Sequence, residues 1–305
     1  MSAKSDEHSP KAIFYALAAN AGIAVCKFAA AAFTGSGSMF AEAIHSTADC
    51  GNQLLLLFGL RESREAPTPL HPMGTGRAIN FYSLLVALLL FFVGGAFSVY
   101  EGIHRLILRE PLQYVYVALG VLGISVVLEA FSLYGAMKEI RKGSPTKSLW
   151  RWARETRDSD LLVVAGEDIA ALAGLAIAFA AVLLTVITGN PVWDACGSIA
   201  IGVLLMLIAW FIAREVQSMI VGESASPEMR RDIEAYLRAR PEIRSIIRLI
   251  TLQWGKEVMV AVQCEMLDYE HSRTMVEAIN EIEADLQARF PSVRWVFFEP
   301  DFVNR

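Results

Sequence analysis

The stretch Ser36-Gly-Ser-Met-Phe-Ala-Glu-Ala-Ile-His-Ser-Thr-Ala-Asp-Cys-Gly-Asn-Gln53 lies in a region of membrane-spanning character, yet it holds His45 and Asp49 four residues apart. An ionisable side chain at the centre of a bilayer costs about 2.5–3.5 kcal/mol on insertion scales, so such groups mark substrate or proton paths more often than structural accidents. Four residues is close to one helical turn, which puts both side chains on one face where they can share a divalent cation. Glu42 and Asn52 extend the pattern at steps of three, four and three residues into a single polar stripe. Inside a bilayer that stripe must face protein or water. Hydrogen bonding between packed helices is the alternative use of the same residues.

The composition agrees with a membrane setting. Hydrophobic residues make up 54% of the 305-residue chain and charged residues 19%, too apolar a balance for an ordinary soluble enzyme of this size. Apolar runs at about 12–33, 39–60, 79–103, 112–137, 161–187 and 191–213 are each long enough to cross a hydrocarbon core of roughly 30 Å. The expectation is an all-α transmembrane domain of six helices over residues 12–222, preceded by a short segment, 1–11. The first run exceeds the apolar core of a signal peptide and is expected to be retained.

Basic residues cluster between spans two and three (Arg61, Arg64, Arg77) and between spans four and five (Lys138, Arg141, Lys142, Lys147, Arg151, Arg154, Arg157). The turns near Gly35 and Gly189 have almost none. The positive-inside rule then places both loops and both termini in the cytoplasm, as expected for a bacterial inner-membrane protein. The net charge of −5 comes largely from the tail, and no basic cluster alternates with aromatics, so nucleic acid is not an expected partner. The four cysteines have no paired spacing, which argues against a disulfide framework, and Cys50 reads as a packed thiol.

From residue 223 to 305 charges become frequent and the periodicity alternates. A helix at 227–240, strands at 246–253 and 258–266 joined through Trp254-Gly255-Lys256, a helix at 271–289 and a strand at 293–299 give the order αββαβ. This fits a small ferredoxin-like α+β domain suited to dimerisation.

Span five contributes Glu167-Asp168 in an otherwise apolar run. Neighbouring residues on a helix diverge by about 100°, so one is expected to ligate and the other to support it or carry protons. Ligation needs neutral imidazole and ionised carboxylate, so a bound cation displaces protons and protons expel the cation. That is antiport in outline. Glu129 in span four and His71 in the loop after span two are further accessory candidates, together with Glu42 and Asn52. Lys27 is expected to snorkel or pair with an acid, and Asp194 to cap its own helix. No Gly-x-Ser-x-Gly or His-Glu-x-x-His motif supports an enzyme.

These residues resemble the cation diffusion facilitators, transporters that move zinc and related divalent metals out of the cytoplasm. The likeness runs through Lys27…Thr34-Gly-Ser36, Ala41-Glu-Ala-Ile-His-Ser46…Asp49…Asn52-Gln53, His71-Pro-Met-Gly-Thr-Gly-Arg77, Gly94…Tyr100-Glu-Gly102 and Trp193-Asp194…Ser198-Ile-Ala-Ile-Gly202. The resemblance implies a homodimer that exchanges metal for protons by alternating access, through a tetrahedral site made by spans two and five. His45 and Asp49 match the span-two ligands and Asp168 the span-five aspartate, whereas Val164 stands where typical members have histidine. Glu167 is the natural replacement, and the Glu-Asp form is similar to a branch that includes an animal mitochondrial zinc transporter. Ile279 and Phe298 stand at two places where family tails carry metal-binding histidines, which leaves His271 and Cys264 as the only weak candidates there. The expected cargo is Zn2+, with Fe2+, Co2+, Mn2+ and Cd2+ as chemical alternatives and no prosthetic group. A membrane scaffold or sensor that binds metal without moving it is the competing expectation.

Overall fold

A computed structural model describes residues 10–108, 114–143 and 146–302, with side chains from residue 21 onward. The chain divides into two units. The first comprises Met1–Gly59, Tyr82–Thr146 and Asp160–Arg214, the second Leu60–Phe81, Lys147–Ser159 and Glu215–Arg305.

Among the described residues, six long helical rods supply most of the first unit, some of their ends reaching into the second: α1 (Pro10–Thr34), α2 (Gly37–Glu62), α3 (Ala78–Leu89) continuing through a π segment (Leu90–Ala96) into α4 (Phe97–Leu108), α5 (Val115–Gly143), α7 (Ser159–Thr188) and α8 (Val192–Val221). The rods run a few residues past most of the apolar stretches because their polar ends stay helical. Among the described residues, four of them, Ala78–Leu108, Val115–Gly143, Ser159–Thr188 and Val192–Val221, are long and apolar enough to cross a membrane. The apolar stretch of α1 described at Ala21–Thr34 is shorter, and α2, with its polar stripe, is not among the four.

The turn between α1 and α2 shows why the chain reverses where it does. Gly35 takes φ +67°, a left-handed conformation suited to glycine, and its N–H donates to Ala31 O at 2.9 Å to close α1. Ser36 then caps α2, its Oγ accepting from Met39 N at 3.1 Å. Asp194 does not cap its own helix as expected. It reaches across to α2, where its carboxylate accepts from Ser36 Oγ at 2.7 Å, Gly37 N at 2.6 Å, Ser38 N at 3.4 Å and Ser38 Oγ. A buried anion there satisfies the orphan donors of the first turn and meets the positive end of the helix dipole.

The π segment contains Gly94 and Gly95, and α8 faces it with Gly202. A Cβ on Gly202 would lie 2.6 Å from Gly95 O, so the two backbones meet at a distance that only glycine permits.

The second unit holds α9 (Pro227–Arg238), β1 (Ile243–Trp254), β2 (Glu257–Met266), α10 (Ser272–Arg289) and β3 (Val293–Pro300), the expected αββαβ order. β1 and β2 pair antiparallel through a two-residue turn with Gly255 at φ +61°. β2 and β3 run parallel, joined by α10 as the crossover, giving sheet order β1-β2-β3. Every second residue of β2 from Val258 to Met266 is buried, against Ile233 and Leu237 of α9 and Ile282 and Leu286 of α10. That alternation makes a two-layer core with both helices on one face.

The unit also gathers the loop after α2 and the segment Lys147–Ser159. Arg77 stacks its guanidinium 4.2 Å from the centre of the Trp254 ring and donates to Gln253 O at 3.3 Å, while Trp254 Nε1 donates to Gly74 O at 3.4 Å. Lys147 bridges Glu155 at 3.0 Å and Glu228 at 3.1 Å, and Arg157 pairs with Glu223 at 2.6 Å. Between them lies a short helix, α6 (Leu149–Glu155), capped by Ser148. Its two turns are too brief to leave a periodic signal in the sequence.

Candidate metal centre

The polar stripe of α2 forms as its spacing requires. Glu42 and Asn52 are wholly buried, and His45 nearly so. His45 Nδ1 lies 3.6 Å from Asp49 Oδ1, close enough to interact electrostatically but too long for a hydrogen bond. Both imidazole nitrogens, Asp49 Oδ1, Glu42 Oε1 and Asn52 Oδ1 have no hydrogen-bond partner among the described residues. Buried polar atoms are normally satisfied, and each one left bare costs about 1–3 kcal/mol. Such a run of bare polar atoms on one helix face offers lone pairs that a cation can use.

Glu42 is drawn towards α1. The ammonium of Lys27, itself fully buried, donates to Glu42 Oε2 at 3.3 Å and to Ser46 Oγ at 2.7 Å. Lys27 therefore pairs with an acid and does not snorkel.

The adjacent acids of α7 diverge as helix geometry demands. Glu167 accepts a 2.5 Å bond from Asn52 Nδ2 and so joins the α2 stripe. Asp168, half-buried, turns to α5, where Ser132 Oγ lies 3.0 and 3.1 Å from its two oxygens. Glu129, one turn before Ser132, lies within electrostatic reach of Asp49 and Asp168. The structure thus brings Glu42, His45, Asp49, Asn52 and Glu167 together along α2 and α7, with Asp168 and Glu129 on the α5 side. Among the described residues, no three His, Cys, Asp or Glu side chains close on one ion position. The arrangement is an open set of donors.

His71 is exposed in the loop after α2, where its backbone pairs with Thr68, and belongs to the second unit. Cys264 is sealed in the core of the tail with its thiol 3.7 Å from Met266 Sδ, which removes it from reach of a solvent cation, while His271 is exposed at the start of α10. Burial pushes the Cys264 thiol up to about 11. Sequence reasoning missed Ser132 and Ser46. The only signal for Ser132 was its position three residues after Glu129.

Residues 13–221 match the family model described as the cation efflux transmembrane domain. The chain is a cation diffusion facilitator. As such it is a multi-pass membrane protein, in keeping with its four strongly apolar helices. This cation diffusion facilitator is 30% identical over 329 aligned positions to the mitochondrial proton-coupled zinc antiporter SLC30A9 of both Mus musculus and Homo sapiens, an alignment that takes in 95% of the chain and 58% of each antiporter. It is 33% identical to metal tolerance protein C4 of Arabidopsis thaliana across 77% of the chain and 52% of that protein. The manganese efflux system protein MneP of Bacillus subtilis (strain 168) is 24% identical across 97% of both chains. The chain thus spans a little over half the length of the antiporters and almost all of the manganese protein.

Proposed function

We propose that this protein is a divalent cation efflux transporter that exchanges its cargo for protons by alternating access, with zinc as the favoured ion. The observation that carries the proposal is the set of bare donor atoms on α2: both nitrogens of His45 and Asp49 Oδ1, one helical turn apart and shielded from solvent. The names of the relatives, a proton-coupled zinc antiporter and a manganese efflux protein, support the same class of cargo.

His45, Asp49, Asp168 and Glu167 are the proposed ligands. Imidazole with carboxylate suits zinc and its first-row neighbours, whereas magnesium and calcium favour oxygen alone. Asp168 is held by the Ser132 hydroxyl and Glu167 by the Asn52 amide, so each acid is kept in place without a neutralising cation. When the cargo arrives, Asp168 swings from Ser132 towards Asp49 and His45. Those ligands that are protonated in the empty site give up their protons as the cation coordinates, and reprotonation from the opposite side releases the ion. The coupling follows from this competition.

The full proposal has six spans over 12–222, a cytoplasmic domain over 223–305 that pairs two copies, and both termini in the cytoplasm of a bacterial inner membrane. The gathering of Arg61, Arg64 and Arg77 and of the segment Lys147–Ser159 with the tail in one unit supports a common side for these parts. In this account Glu42, Asn52, Glu129 and His71 are accessory groups.

The test is uptake by proteoliposomes holding the full chain, with Zn2+, Mn2+, Fe2+, Co2+ and Cd2+ in competition and internal pH recorded. Zinc should win, with a proton flux opposite to its own. Metal binding without uptake of any of these ions would identify a sensor or scaffold instead.

A further inference from the structure

We propose that Asn52 is a specificity-determining ligand: its carbonyl oxygen coordinates the transported cation while its amide group positions Glu167. This rests on the transport reading above and deepens it. Asn52 is wholly buried on α2, three residues beyond Asp49 and on the same face. Its Nδ2 donates to Glu167 Oε1 at 2.5 Å. With Nδ2 as the donor, Glu167 Oε1 accepts whether the acid is ionised or protonated on its other oxygen, and the amide presents its NH2 group to Glu167. The direction of Oδ1 is thereby set. It points away from Glu167, and no donor meets it among the described residues.

Oδ1 is not alone in this condition. Asp49 Oδ1 and both His45 nitrogens, on the same stripe, are also bare. A divalent cation satisfies a carboxylate oxygen, an amide oxygen and an imidazole lone pair together, because each offers an electron pair and none has to give up a hydrogen bond to do so. Asn52 then acts at both ends. The NH2 end fixes Glu167, and the oxygen end adds a neutral, hard donor.

The chemical consequence concerns cargo. Carbonyl and carboxylate oxygens suit manganese, whereas imidazole suits zinc. Val164 supplies no imidazole from α7, so a site with one histidine and an amide oxygen is harder than a site with two histidines. Asn52 therefore widens the range from zinc towards manganese.

The experiment measures Zn2+ and Mn2+ uptake side by side in proteoliposomes with the full chain, comparing Asn52→His, Asn52→Leu and Asp49→Ala. Histidine at position 52 keeps an N–H for Glu167 and exchanges the oxygen for nitrogen. It should retain zinc uptake while raising the zinc-to-manganese ratio by about tenfold or more, within the range that altered metal environments produce. Asn52→Leu removes both contacts and should lower uptake of both ions, manganese more than zinc. Should Asn52→Leu fail to fold, manganese and zinc binding to purified Asn52→His in detergent gives the same ratio. Equal loss of both ions in Asn52→His, or an unchanged ratio, would overturn the proposal and leave Asn52 a purely structural partner of Glu167. Asp49→Ala separates the two claims, since undiminished uptake of both ions in that variant counts against the transport site itself.

Discussion

The ammonium of Lys27 lies 3.3 Å from a carboxylate oxygen of Glu42, and neither side chain touches solvent. The pair ties α1 to α2 one turn from His45. Breaking a buried pair by removing one member strands the other charge and costs about 3–5 kcal/mol, whereas replacing both can be neutral. Lys27→Met should therefore be strongly destabilised, and Lys27→Met with Glu42→Gln should recover much of the loss. Thermal unfolding of the purified protein in detergent compares the two. A loss in the double variant equal to the sum of the two single losses would mean that the charges matter independently.

Asp194 holds the start of α2 through four donors, two of them backbone N–H groups. Asp194→Ala leaves Gly37 and Ser38 without that acceptor, at a cost of about 1–3 kcal/mol for a stranded buried group. Hydrogen exchange should show faster amide exchange at Gly37 and Ser38 in this variant, with the tail unaffected. Unchanged protection would show that Ser36 alone suffices as the cap.

The Cys264 thiol gives a pH-dependent test of the tail core. Burial raises it to about 11 from an ordinary value of about 8.5. The folded state prefers the protonated thiol, so its contribution is fully kept below the unfolded value and is lost as pH rises from about 8.5 through 11. The native chain should resist alkylation at Cys264 at pH 8 and react there only on unfolding, and Cys264→Ser should flatten the loss of stability at high pH. Rapid labelling of Cys264 in the native chain at pH 8 would contradict the sealed position.

The legible parts of the site and fold are those with a local signal. His45 and Asp49 stand out because ionisable groups are rare in apolar runs, and the steps from Glu42 to Asn52 define one face whatever the surroundings. The tail order could be read because β2 alternates strictly and Gly255 marks its turn. Partnerships across the bundle left no such trace. Asp194 meets Ser36, Gly37 and Ser38 from more than 150 positions away, and no periodicity encodes that. Ser132 was missed because a serine is unremarkable in a spanning helix, its spacing from Glu129 is a weak signal, and its role depends on the side of α7 to which Asp168 turns. The same divergence decides that Glu167, and not Asp168, bonds to the α2 stripe.

The central claim is that a cation and protons compete for one site built around Asp49. Its most direct test records zinc uptake and internal pH together in proteoliposomes carrying either the unaltered chain or Asp49→Ala. The account predicts coupled metal and proton movement in the first and a fall of about a hundredfold or more in both for the second, the scale expected when a proposed ligand of a buried cation is removed. Zinc uptake and proton movement that persist together in Asp49→Ala would contradict it.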